Sequence, residues 1–223
     1  MLKINILIFT KFLENTLMII KNVVVGPLEV NCYILGCEDT KEAAIIDPGD
    51  NADEIIGIIE KEGLKPKFII NTHAHFDHIG GVKAIQDYFK IDFILHKEDL
   101  FLVENASEQA TAFGLKPISK PEVNKYVNNG EIITLGNKSI TVIHTPGHSP
   151  GCVCYYLDNN VFVGDTLFAS SIGRTDLPGG SHETLINSVK EKLLILGDNT
   201  IVHPGHGPST TIGNEKEHNP FLK

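Results

Sequence analysis

The chain has 223 residues, 42% of them hydrophobic, which is enough to bury the core of one large domain or two small ones. Nineteen basic against 28 acidic side chains give a formal charge of −9, which argues against nucleic acid as a partner because phosphate binding needs a basic face. The four cysteines, Cys32, Cys37, Cys152 and Cys154, are too few for a disulfide scaffold and read as reduced, buried thiols of a cytoplasmic protein, and no apolar run approaches the ~18 residues of a membrane span.

Residues 1–17 hold a short apolar run between Lys3 and Lys11 that lacks the length and cleavage site of a signal peptide, so they read as an extension. From Met18 a domain over 18–223 is expected, with strands at 19–25, 30–36 and 42–47, each rich in Val, Ile or Tyr. A helix over 52–62 follows, capped by Asn51 with Glu54 three residues on, carrying Ile55, Ile56 and Ile59 on one face and closed by Gly63. A strand over 67–71 enters a histidine cluster, 79–89 reads as helix and 92–96 as extended chain. The polar stretch 97–128 is weakly helical, suited to a lid or flank. Strands are expected again at 131–135, 139–144, 152–157 and 160–164. Ser181 then caps a helix bearing Leu185, Ile186, Val189 and Leu193, and a last strand spans 199–203. The alternation predicts a mixed, layered α/β domain.

Chemistry concentrates in Asn71-Thr72-His73-Ala74-His75-Phe76-Asp77-His78. His73 and His75, two apart on extended chain, point the same way and can clasp one ion, while Asp77 and His78 start a helix and can face a second. Three imidazoles and a carboxylate so close together are poorly solvated unless a cation organises them. Further donors stand at strand ends: His148 in a Pro/Gly-rich loop, Asp165 after Val161-Phe162-Val163-Gly164, and His206 in Pro204-Gly205-His206-Gly207.

This ordered set resembles the metallo-β-lactamase fold, specifically its small glyoxalase II-like hydrolases, from about Met18 onward. The resemblance implies an αββα sandwich of two mixed β-sheets flanked by helices, with two metal ions at one edge. It implies that His73, His75 and His148 hold the first ion, that Asp77, His78 and His206 hold the second, and that Asp165 bridges them. Two zinc ions are expected, iron or manganese occupying related sites. The implied reaction is hydrolysis of an acyl thioester of the S-lactoylglutathione type, or of a similar small ester, by water activated between the ions, with Asp77 orienting the nucleophile or taking its proton. The alternative on the same fold is an oxidoreductase, a mononuclear iron persulfide dioxygenase. The helical domain with which full-length glyoxalase II grips glutathione has no counterpart after His206. The expected partner is therefore a small acyl substrate, not nucleic acid or membrane.

Around these donors, Asp47 in Ile45-Ile46-Asp47-Pro48-Gly49 is expected to support a ligand imidazole. His144 and His203 read as structural, His96 and His218 as local packing, and His182 as part of a helix cap. Arg174, the only arginine, is expected to anchor Asp176.

Overall fold

The computed structural model describes residues 18–223, so the expectation for 1–17 lies outside the described residues. The chain runs β1 (Met18–Val25), β2 (Val30–Cys37), β3 (Glu42–Ile46), α1 (Ala52–Lys61), β4 (Lys65–Ile70), α2 (Phe76–Ile79), α3 (Val82–Phe89) and β5 (Asp92–His96). A 3-10 turn (Lys97–Asp99) leads to α4 (Leu100–Ala112) and β6 (Lys125–Val127), and then to β7 (Ile132–Leu135), β8 (Lys138–His144), β9 (Val153–Leu157) and β10 (Asn160–Gly164). The hairpin β11 (Leu167–Phe168) and β12 (Ser171–Ile172) precedes α5 (His182–Ser188), a π turn (Val189–Leu193), β13 (Ile201–Pro204), β14 (Thr210–Thr211) and α6 (Ile212–His218).

Period-two alternation builds the layers. In β2, Cys32 and Ile34 face one apolar cluster while Tyr33 and Leu35 face another, so this strand is buried on both sides. The first sheet has the order β1-β2-β3-β4-β5-β6 and the second β14-β13-β10-β9-β8-β7. Both are mixed: β3 to β6 run parallel while β1 to β3 are antiparallel, and in the second sheet only β10 and β13 pair in parallel. Between them, Tyr33, Ile46 and Ile70 of one sheet pack with Val142, Tyr155 and Phe162 of the other. Full burial of each such side chain contributes roughly 1.5–3 kcal/mol. The first sheet's outer face is covered by α1, α3 and α4 through Ile55, Ile59, Ile85 and Leu102, the second's by Leu193 of the π turn and Ile212 of α6. This is the expected αββα sandwich. Among the described residues no helix is long and apolar enough to cross a membrane.

Three local expectations change. Asn51 does not cap α1 with its side chain, because its backbone is left-handed (φ 48°). Its amide instead accepts from Gly26 N and donates to Glu54, each at 3.2 Å. The helix expected over 79–89 is two helices broken at Gly80-Gly81, where the chain is pressed against the 48–49 turn and Gly81 N donates to Pro48 O at 2.9 Å. The stretch 97–128 resolves into the 3-10 turn, α4, a segment outside helix and strand, and β6.

Candidate metal centre

The C-terminal ends of β3, β4, β10 and β13 open at one edge of the sandwich, and the loops leaving them carry the donors. Loop 71–75 follows β4, loop 145–151 joins β8 to β9, Asp165 follows β10 and His206 follows β13. Backbone bonds lock these loops together: Val153 N donates to Thr72 O at 2.8 Å and Gly205 N to Gly164 O at 2.7 Å. Asn31 Nδ2 holds the last loop by donating to Pro204 O and Gly207 O. At Gly205 a Cβ would stand 2.3 Å from Asp165 Oδ1, so the close approach needs glycine.

All seven predicted residues converge there, in two groups. Donor atoms of His73, His75 and His148 lie within 4.8 Å of one another, as do those of Asp77, His78 and His206. Asp165 stands between the groups, with Oδ2 at 3.6 Å from both His148 Nε2 and His206 Nε2 and Oδ1 at 3.5 Å from His78 Nε2. The opposite ring nitrogens are engaged. His148 Nδ1 donates to Arg174 O (2.7 Å) and His206 Nδ1 to Leu28 O (2.9 Å), since a carbonyl only accepts. Thr72 gives its hydroxyl proton to Asp47 Oδ2 at 2.5 Å and so accepts from His73 Nδ1 at 3.1 Å. His78 Nδ1 donates to the same Asp47 oxygen at 3.1 Å. Four Nε2 lone pairs are thereby turned inward. Nδ1 of His75 lies 2.9 Å from His148 Nε2, a spacing that calls for a shared proton or a cation.

Three atoms decide what fits. His73 Nε2, His78 Nε2 and Asp165 Oδ1 are buried without a hydrogen-bond partner, and such groups are costly unless an ion or water satisfies them. Nitrogen and carboxylate donors in two clusters sharing one carboxylate suit a pair of divalent cations. Electrostatics agrees. Burial and the neighbouring rings hold His73 well below the ordinary histidine range, and burial with His148 brings His75 to about 3, so both rings are neutral. Burial opposes a charge on His78, but Asp77, Asp165 and Asp47 outweigh it and raise the ring to about 10. In the metal-free protein His78 therefore carries the proton that a second cation would replace.

Asp47, with φ 50° at the end of β3, is the hub of the supporting bonds. Its Oδ1 accepts from Thr72 N at 2.7 Å and its Oδ2 serves Thr72 and His78. Asp47→Ala is expected to weaken metal binding about 10- to 100-fold, the usual loss for such a partner. Chelator competition with zinc measures it, and an unchanged affinity would remove Asp47 from this role.

A family model described as the metallo-beta-lactamase superfamily matches residues 25–206. The chain belongs to this superfamily. It is 41% identical over 202 residues to a protein of Haemophilus influenzae named hydroxyacylglutathione hydrolase GloC, covering 89% of this chain and 95% of that one. Among solved structures it resembles the B3 metallo-beta-lactamase BLEG-1 (TM-score 0.86, 44% identity, 92% of this chain and 100% of that one). It also resembles TTHA1623 in a di-iron-bound form (TM-score 0.83, 42% identity, 91% and 100%).

Like its superfamily relatives, the chain has the two-layered sheet core, and a cavity of about 310 Å³ opens over the donors. Leu28, Phe76, Leu102, Phe113 and Leu177 give it apolar walls, and His75, Asp77, His148, Asp165 and His206 lie among its lining. Arg174 lines it too, but its guanidinium is held by Asp176 through two bonds of 2.7 Å, as expected. His203 stacks on Phe162 and packs against Tyr33, and burial lowers it to about 4, a structural role. His96 and His144 form a separate group with Glu98. Their rings stack at 4.2 Å, only 16° from parallel, and His144 Nε2 donates to Pro150 O at 2.8 Å. Parallel rings do not aim two lone pairs at one point, so this group is packing. The sequence reading missed Asp99, one of several acids in a polar stretch. It is buried, accepts three hydrogen bonds beside the donor loops, and burial pushes it up to about 6.

Proposed function

We propose that this chain is a binuclear-metal hydrolase of acyl thioesters, of the S-lactoylglutathione type, or of similar small esters. One observation carries the reading: six donor residues in two groups share Asp165 beneath an apolar cavity. Zinc is the proposed ion, with iron or manganese as alternatives, and His73, His75 and His148 are assigned to one ion and Asp77, His78 and His206 to the other. Two such ions, when bound, would lower the pKa of a water at the site from ~15.7 toward ~7 and would polarise a carbonyl oxygen.

The chain's own groups supply the rest. Asp77 lines the cavity with its carboxylate; burial opposes its charge, but His78 and His206 hold it well below the usual carboxylate range. It is therefore ionised, 3.4 Å from His206 Nε2, and placed to orient a water or receive its proton. The apolar walls exclude bulk water and seat the acyl group. A second cleft of about 550 Å³ meets the first at Leu28, Phe76 and Asp77, so the two halves of a thioester have separate places. The relative named hydroxyacylglutathione hydrolase supports this choice of substrate.

The cations lining the two clefts are Arg174, already bound to Asp176, and Lys116. The glutathione carboxylates thus find few partners, and each missing charged contact costs on the order of 1.5–3 kcal/mol. S-lactoylglutathione is expected to be cleaved with a high KM and little preference over thioesters of simpler thiols. Metal analysis of purified protein, followed by steady-state kinetics on thioesters, lactones, phosphodiesters and persulfides, tests this. A single bound iron with persulfide oxidation would establish the oxidoreductase reading, against which the complete Asp77, His78 and His206 group argues. Failure to cleave any thioester with two zinc ions bound would refute the activity. The proposed setting is the cytoplasm, in keeping with four free, buried cysteines.

A further inference from the structure

Asp99 is fully buried, and all three groups that bond its carboxylate are uncharged. Oδ2 accepts from Ala74 N at 3.0 Å and Ser149 Oγ at 2.8 Å, and Oδ1 accepts from Gly151 N at 2.7 Å. Burying a carboxylate away from any cation is costly, so the position needs a reason. Helix capping is not that reason. Asp99 stands at the N-cap of α4, yet its side chain makes no capping bond.

The partners supply one. Ala74 lies between His73 and His75, and Ser149 directly follows His148. One carboxylate, carried by a third segment of chain, thus ties the loop bearing two imidazoles to the loop bearing the third. The loops are shaped to receive it: at Gly151 a Cβ would stand 2.6 Å from Asp99 Cγ and 2.7 Å from its backbone nitrogen. The other donor group does not touch Asp99: Asp47, which also reaches His73 through Thr72, braces His78, and Leu28 O braces His206.

We infer that Asp99 is the positioning residue of the three-imidazole site, setting the approach of His73 and His75 to His148 without touching the other donor group. Hydrogen bonds to an ionised carboxylate are short and strong, and three of them converging on one rigid group fix the spacing of both loops. Charge has a further use here. An aspartate accepts at both oxygens, whereas an asparagine in its place turns an NH2 toward the backbone N–H of either Gly151 or Ala74, donor against donor. The inference rests on the two-site reading above, but not on the substrate.

The test is metal binding by the full chain, with Asp99→Asn and the milder Ser149→Ala, which removes one bond and buries no mismatched donor. Chelator competition with zinc and the visible spectrum of the cobalt-loaded protein separate the two sites. Asp99→Asn is expected to bind one ion about 10- to 100-fold more weakly, the scale of lost supporting bonds, while the other keeps its affinity. Ser149→Ala should move the same ion by less. In the metal-free protein, amide exchange at Ala74 and Gly151 should quicken in Asp99→Asn while β2 and β10 stay protected. Two ions at wild-type affinity with an unchanged cobalt spectrum would overturn the inference, and so would equal weakening of both ions. Should Asp99→Asn fail to fold, Ser149→Ala alone decides by the same site-selective shift. A wild-type protein that binds two ions but cleaves no thioester would sink the proposed activity and leave this inference standing.

Discussion

Asp165→Asn is expected to lower kcat by about three orders of magnitude and to loosen at least one ion. Its carboxylate lies within 3.6 Å of donor nitrogens from both groups, His148 on one side and His78 and His206 on the other. A carboxylate there places a full negative charge between the two groups, with Oδ2 facing donors of both, and would attract both cations. An amide presents one neutral oxygen and an NH2 that repels a cation. Paired cations contribute several kcal/mol of charge stabilisation, and about 4 kcal/mol corresponds to about a thousandfold in rate. The side chain is nearly isosteric, so the chain should still fold, with the Tm of the metal-free protein lowered by loss of the carboxylate that faces His78 at 3.5 Å. Kinetics at saturating zinc, with titration of bound metal, checks both parts. Two ions held as tightly as in wild type would show that Asp165 is not the bridge.

Gly49→Ala should act through the backbone instead. A Cβ at Gly49 would lie 1.8 Å from Asp77 O, while one at Gly80 would lie 2.3 Å from Gly49 O. The turn carrying Asp47 and the turn carrying Asp77 and His78 are therefore in backbone contact, with no flexible side chain to give way. Overpacking typically costs about 1–3 kcal/mol, and rigid neighbours place this case at the upper end. For a domain of this size about 3 kcal/mol lowers Tm by roughly 6–12 °C. The turns must also part, which moves Asp77 and His78 away from His206. Loss of the second ion with a lowered Tm is the expected result, read by calorimetry and metal titration. An unchanged Tm would mean that the two turns do not pack as closely as described.

The four donors of the segment 73–78 were legible because their information is local. His73, His75, Asp77 and His78 sit within six residues, and strand and helix geometry alone point them two ways. The strands of the sandwich were legible for a like reason, since Val30–Cys37 and Asn160–Gly164 announce themselves by composition and length. His148, Asp165 and His206 are scattered single residues at strand ends, and only the resemblance assigned them to the same site. Asn51 shows where local rules fail. It has the residue type and the Glu54 spacing of a capping box, yet a contact with Gly26, 25 positions away, accompanies a left-handed backbone that takes the side chain off the helix axis.

Sequence alone therefore settled the chemistry of the donors, the layered α/β class and the strands that carry them, because residue type and short-range periodicity are properties of neighbours in the chain. Tertiary structure decided which lone pairs face inward, since that depends on Asp47, Leu28 O and Arg174 O capturing the opposite ring nitrogens. It also decided the break at Gly80-Gly81, imposed by contact with the 48–49 turn, and the place of Asp99, one acid among many in a polar stretch until burial sets it between two loops. Hydrogen bonds and close contacts between segments 25 to 178 residues apart have no signature in local pattern, and at this edge they do the positioning.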